Sequence, residues 1–267
     1  MPFGYTGKIL HVDLNTQKVA VDEPDEAFYR SYLGGRGIGY HYLMQMVPAA
    51  TDPFSADNIL VLASGVMTGA PLPAACRFAA VGKSPLTGTA GESEAAGFFG
   101  PEMKMAGFDA VVLSGRAEKP VYLWLTEGKA QLKDASAIAG LETKAAEDAI
   151  RDELGSTKIR VAQTGPAGMR QVRYANITNN LGHFNGRGGF GALMGSKNLR
   201  AVAALGTEKL TFASPEFLRE TAQHYARTFK DNPAGEQLFV YGTTAFPEIL
   251  SAAGALPADN FRRSRFD

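Results

Sequence analysis

Residues Asn179–Leu199 read NNLGHFNGRGGFGALMGSKNL, and two readings of that stretch lead to two different folds. Gly186-Arg187-Gly188-Gly189-Phe190-Gly191 satisfies G-x-G-x-x-G, the dinucleotide fingerprint. That pattern has a mechanism only where a strand runs straight into it and a long helix leaves it. Here the residues ahead, NNLGHFN, are polar and turn-like, and the residues behind, ALMGSKNL, soon meet another glycine. The nearest following carboxylate, Glu208, lies beyond the next expected strand, so no clean βαβ unit closes. The other reading is a close-approach turn around one cation, Arg187. Glycine turns through positive φ and brings backbone close to a ligand because no Cβ intervenes. Successive N–H groups in such a turn converge on an anion, and a guanidinium adds a planar fork of donors suited to phosphate. Glycine-rich turns also occur as bare connections.

Two other segments repeat the theme. Leu33–Gly39, LGGRGIG, again sets glycines around one arginine, and Arg77–Gly88, RFAAVGKSPLTG, places Arg77 and Lys83 beside a further turn. Loop chemistry alone does not account for three such turns. They suit a flat, phosphorylated organic cofactor gripped from separate points, which the residues by themselves do not name.

The whole chain narrows the classes. Its 267 residues, 45% of them apolar, suffice for a real core. The 27 basic and 27 acidic residues balance, and no basic run marks a nucleic-acid surface. No segment has the unbroken apolar length of a membrane span, and the start, MPFGYTGKILHV, lacks the features of a secretory signal. A soluble cytoplasmic protein is expected. The single cysteine, Cys76, excludes an internal disulfide and a cysteine-rich metal site. Arg77 beside it favours a thiolate, but no histidine is near in sequence to serve as its base. His11, His41, His183 and His224 lack zinc-ligand spacing.

Lys8–Leu14 and Lys18–Glu23 are expected as a hairpin around Asn15–Thr16. Asp25 caps a helix toward Tyr32, Leu33–Gly39 breaks it, and Tyr40–Val47 forms the next helix. Strands are expected at Asn58–Ala63, Arg77–Val81, Ala110–Ser114, Val121–Thr126, Lys158–Gln163, Val172–Ile177 and Leu199–Leu205, with a turn at Gly165–Pro166. Phe98–Gly107 is expected as a short helix. Thr143–Leu154 is an amphipathic helix with Ala146, Ala149, Ile150 and Leu154 on one side. The texture changes at Thr207–Phe212. Beyond it, Ser214-Pro215-Glu216 starts a helix, and Gln237–Ala252 carries another, interrupted near Gly242 and Pro247. Strands do not alternate with long helices, which argues against a doubly wound sheet. The expectation is an α+β domain over 1–208 with two mixed or antiparallel sheets, then the first helices of an α-helical domain over 209–267.

Several stretches together resemble the N-terminal domain of the aldehyde ferredoxin oxidoreductase family. They are GYTGKILHVDL, YLGGRGIG, RFAAVGKSPLTG, GFFGPEMKMAGFDAVVLSGRAEKPVYL, GRGGFGALMGSKNLRAV, YGTTAFPEIL and LPADNF, in order from Gly4 to about Phe261. The resemblance implies a two-sheet domain on which a tungsten (or molybdenum) bis-pterin rests. It implies oxidation of aldehydes to carboxylic acids, with electrons passing through a 4Fe–4S cluster to ferredoxin or another acceptor. A homodimer is among the assemblies it allows. It places pterin contacts at Arg77, Glu94, Ala96, His183, Phe184, Gly186 and Arg187. A magnesium ion bridging the pterin phosphates falls to the backbone carbonyls of Glu94 and Phe184. Gly188, Lys83 and Lys197 are expected in support. Two departures stand out: His183-Phe184-Asn185 replaces the Arg-Ala-Ala of many members, and Glu94-Ala95-Ala96-Gly97 replaces Asn-Ser-Gly-Gly. The resemblance also implies that the chain stops at Asp267 within the second domain, ahead of the cluster cysteines and the catalytic groups. The fragment alone is then expected to be inactive. The alternative is a non-catalytic chain or a subunit paired with a partner that carries the cluster.

Overall fold

The structure is a computed structural model that describes residues 3–266. β1 (Ile9–Asp13) and β2 (Lys18–Asp22) form the expected hairpin. Asp13 closes its turn by accepting from Asn15 N at 2.9 Å and Thr16 Oγ1 at 2.8 Å. Asp25 caps α1 (Glu26–Tyr32), accepting from Phe28 N at 3.0 Å. The helix α2 (Arg36–Met46) starts at Arg36, inside LGGRGIG, rather than at Tyr40. Leu33, Gly34 and Gly35, all at positive φ, turn the chain, so the break between the helices is confined to those residues.

The strands β3 (Leu60–Ser64), β4 (Phe78–Lys83) and β5 (Ala90–Ala95), the helix α3 (Phe99–Met105) and β6 (Ala110–Ser114) complete the first half. The second half holds β7 (Val121–Thr126), β8 (Lys129–Asp134), α4 (Thr143–Leu154), β9 (Arg160–Gln163), α5 (Pro166–Met169), β10 (Ile177–Asn179), β11 (His183–Asn185), α6 (Phe190–Ser196) and β12 (Leu199–Leu205). They build two six-stranded sheets, ordered β2-β1-β6-β3-β4-β5 and β11-β10-β9-β12-β7-β8. Pairings are antiparallel except β1–β6 and β12–β7, which are parallel. The α+β, two-sheet mixed fold is the one expected.

Strand periodicity explains the layering. Leu60, Leu62, Phe78, Ala80, Val111 and Leu113 point to a central core shared with Leu123, Leu125, Val202 and Ala204 of the other sheet. The alternate residues Val61, Ala63, Ala79, Val81 and Val112 meet Ile38, Tyr42 and Leu43 of α2 on the outer face. On the second sheet, Ala201, Ala203 and Val161 meet Ala146 and Ile150 of α4. Strands covered on both faces read as continuous apolar runs, because neither alternate set can be polar. Each buried Leu, Ile or Phe contributes about 1.5–3 kcal/mol. α3 and α6 lie in the central layer through Phe99, Met103, Phe190, Leu193 and Met194.

Two expectations fail locally. Val172–Ile177 is not a strand; Val172 N bonds Ala167 O at 2.9 Å and Ala175 N bonds Val172 O at 2.8 Å, so the backbone turns and only Ile177 joins β10. Gly165–Pro166 opens α5, with proline in the first turn, where its missing N–H is harmless.

The chain divides into two compact units, Met1–Pro215 and Glu216–Asp267. The second unit takes most of α7 (Pro215–Thr228), with α8 (Pro233–Tyr241) and α9 (Pro247–Ala252). None of these helices buries a residue. Among the described residues, no helix is long and apolar enough to cross a membrane.

Candidate functional site

The site lies where an edge strand of one sheet meets an edge strand of the other, β5 against β11. Polar side chains stitch this seam. Asn185 Nδ2 donates to Ser93 O at 2.7 Å, Asn179 Nδ2 to Ala96 O at 3.0 Å, and Phe98 N donates to Asn180 Oδ1 at 2.8 Å. The segment NNLGHFN is therefore no featureless turn. The side-chain amides of Asn179 and Asn185 donate to backbone carbonyls across the seam, while their buried Oδ1 atoms have no partner among the described residues.

The glycine turn follows directly. Arg187 N donates to Ser93 Oγ at 3.2 Å, and Ser84 Oγ donates to Gly188 O at 2.6 Å, so the β4–β5 hairpin grips the turn at two points. The glycines divide into two kinds. At Gly189, φ is +75° and a Cβ would fall 1.9 Å from Arg173 O; that glycine serves the fold. Gly186 has no positive φ, and a Cβ there would find only Phe184 Cβ, at 3.9 Å. Neither conformation nor packing within the chain asks for glycine at 186.

Gly186 faces a groove of about 720 Å³ whose walls include Arg36, Tyr40, Glu92, Glu94, Phe184 and Arg187. Glu92 Oε1 stands 3.3 Å from Arg36 Nη1, and Glu94 Oε2 stands 3.9 Å from Arg77 Nη1. Among the described residues, the Arg187 guanidinium has no ion pair or hydrogen bond. Phe184 leaves 49% of its surface exposed beside it.

The predicted residues separate accordingly. Glu94, Phe184, Gly186, Arg187 and Gly188 line one groove. Arg77 sits at the start of β4 against Glu94, at the groove's flank. The Ala96 carbonyl is taken by Asn179, and exposed His183 is not part of the lining. Lys83 and Lys197 do not line this groove. Lys83 Nζ donates to Ala49 O. Lys197 is fully buried, donates to Asn58 O and to Gly115 O at 3.0 Å, and its amine is pulled down to about 7 by burial. Among the lining residues outside the expected contacts is Arg36, although LGGRGIG marks its turn. Its place depends on α2 starting at Arg36, which puts Arg36 and Tyr40 on one helix face.

The dinucleotide reading does not survive this geometry. β11 is a three-residue strand antiparallel to β10, and seven-residue α6 leads to β12, which pairs with β9 and β7 rather than β11.

Comparison with known proteins agrees with this architecture. The sequence model of the aldehyde ferredoxin oxidoreductase N-terminal domain matches residues 9–206. A tungsten-containing aldehyde ferredoxin oxidoreductase of Pyrococcus abyssi is 37% identical over 266 residues, 99% of this chain and 44% of that protein. The protein of the same description from Pyrococcus furiosus is 38% identical over 261 residues, 97% of this chain and 43% of that one. The chain thus spans less than half the length of the curated relatives it matches. A solved structure, the active site complex BamBC of benzoyl coenzyme A reductase with 1,5-dienoyl-CoA, superposes with a TM-score of 0.84 at 33% identity, covering 88% of this chain and 36% of that one. On its sequence, this chain belongs to the aldehyde ferredoxin oxidoreductase family.

Proposed function

We propose that this chain is the cofactor-binding part of a tungsten- or molybdenum-pterin oxidoreductase that converts aldehydes to carboxylic acids and passes electrons through a 4Fe–4S cluster to ferredoxin. The observation that carries the reading is the pairing of an open glycine with an unpaired guanidinium in one groove: Gly186 with nothing but Phe184 near a would-be Cβ, and Arg187 beside it. A side chain at 186 would project into the groove, so the groove suits a ligand that passes close to bare backbone. The donors that face it suit phosphate oxygens. Phe184 offers an apolar surface for a flat ring system.

When bound, the pterin supplies the metal's ligands and the redox chemistry. This chain's residues bind and orient it: Arg187 and Arg77 to the phosphates, Gly186 and Gly188 by close backbone approach, Ala96 and His183 at the margins. The Glu94 and Phe184 carbonyls would hold a magnesium ion, which would offset the charge of the phosphates. Among the described residues, no three His, Cys, Asp or Glu side chains cluster to hold a metal. A 4Fe–4S cluster needs four thiolates, and this sequence has one cysteine. Turnover in this reading therefore requires further polypeptide, whether of the same chain or of a partner, and a soluble, cytoplasmic setting fits both.

The test is Gly186→Val, whose Cβ meets only Phe184 Cβ at 3.9 Å and whose methyl groups obstruct the groove. The variant is purified from cells that make the cofactor, and pterin and metal content are measured beside circular dichroism. The expected result is an intact fold with most of the pterin lost. A folded variant with full load would overturn the reading.

A further inference from the structure

Two glutamates of β5 already occupy arginines of this site. Glu92 and Glu94 are two residues apart on one strand, so their side chains share a face, and both line the groove. Glu92 holds Arg36 at 3.3 Å, while Glu94 stands 3.9 Å from Arg77, beyond hydrogen-bond reach. The Arg36 side chain is 63% exposed and that of Glu92 only 26%. The carboxylate is thus the fixed partner and the guanidinium the one free to swing.

We propose that Arg36 is an anion-binding residue of this groove and that Glu92 is its built-in competitor, holding the guanidinium until a phosphate group takes it. This rests on the reading that the groove receives phosphates, and adds to it a contact and a rule for occupancy. A guanidinium fork accepts carboxylate or phosphate in the same planar geometry. An ion pair this exposed is worth only about 0.2–1 kcal/mol, so a doubly charged phosphate displaces it. Arg36 opens α2, an eleven-residue helix, and Tyr40 one turn on also lines the groove. The positive end of that helix therefore adds to the guanidinium's pull. Once displaced, the Glu92 carboxylate stands beside the phosphates and repels them unless a cation intervenes. Phosphate binding then depends on a divalent cation, and Glu92 sets how strongly.

The experiment titrates the full chain with inorganic pyrophosphate by calorimetry, with and without Mg²⁺. It compares the native chain with Arg36→Ala, Glu92→Gln and Arg187→Ala, each first shown to keep its circular dichroism and melting temperature. Without Mg²⁺, Glu92→Gln is expected to bind about threefold tighter, the size of an exposed ion pair. Arg36→Ala is expected to bind several-fold more weakly. Mg²⁺ is expected to tighten binding more in the native chain than in Glu92→Gln. If Arg187→Ala weakens binding while Arg36→Ala and Glu92→Gln do not change it, this inference falls and the phosphate groove stands. If the native chain binds no pyrophosphate under either condition, both fall.

Discussion

Two sets of cations in this chain look alike in sequence and behave oppositely in the fold. At the seam between the sheets, Arg36, Arg77 and Arg187 face carboxylates or solvent. In the interior, Lys104, Lys197 and Arg200 are fully buried and are held almost entirely by backbone carbonyls. Lys104 donates to Gly4 O, Gly65 O, Val66 O and Thr68 O. Arg200 donates to Ile138 O, Leu141 O, Thr164 O and Gln163 Oε1. The donors are satisfied mainly by neutral carbonyls, so burial pulls Lys104 down to about 8 despite the buried Asp109 carboxylate, Lys197 to about 7 and Arg200 to about 10. Interior cations fasten loops, whereas seam cations remain open to exchange. Arg187 and Lys197 belong to one glycine-rich segment and fall on opposite sides of this division.

The widest gap between the two sets is in stability. Lys104→Met strips four carbonyls of their donor in a buried place, and a loss on the order of 3–5 kcal/mol is expected in urea denaturation. Arg187→Ala is expected to stay within about 0.5 kcal/mol of the native chain. The comparison breaks if the seam variant proves the more destabilised. A neighbouring pair of glycines sharpens it: Gly189→Ala, at positive φ and against Arg173 O, should cost about 2 kcal/mol or more, and Gly186→Ala close to nothing.

Next in size is a pH effect. The folded-state values of Lys104 and Lys197 lie below the ordinary 10.5, so above about 7 to 8 the unfolded chain binds more protons than the folded one. Stability contributed by these lysines therefore rises with pH through that window. Tyr29, pushed up by burial and by Asp109, works the other way only above its ordinary 10.0. Melting temperature is thus expected to climb between about pH 7 and 9, and Lys197→Met should flatten the climb. A native chain whose melting temperature falls over that range would contradict the cage description. The smallest effect belongs to Glu94→Gln: at 3.9 Å from Arg77 the pair is loose, so stability should change by no more than about 0.5 kcal/mol.

The division also explains what the sequence could disclose. Thr143–Leu154 and Leu199–Leu205 were legible to the residue, because helical amphipathicity and an unbroken apolar run are properties of the segment itself. The edge strand β8, KAQLKD, went unread because only its pairing with β7 makes it a strand. In the site, glycine–arginine clustering led to Arg187 and Gly186. Lys197 reads as part of that cluster because its carbonyl partners, Asn58 and Gly115, are remote in sequence. The stitching by Asn179, Asn180 and Asn185 was invisible for the same reason: a polar run looks like a turn until the second edge strand is beside it.

In the proposed reading, the seam arginines hold the cofactor, and the lysines that accompany them in sequence do not. Pterin and tungsten or molybdenum content of Arg187→Ala, measured beside Lys83→Ala from the same cells, tests it most directly. Losing one charge-assisted phosphate contact should lower the load of Arg187→Ala on the order of tenfold, with Lys83→Ala matching the native chain. Equal loads in the two variants would contradict the account.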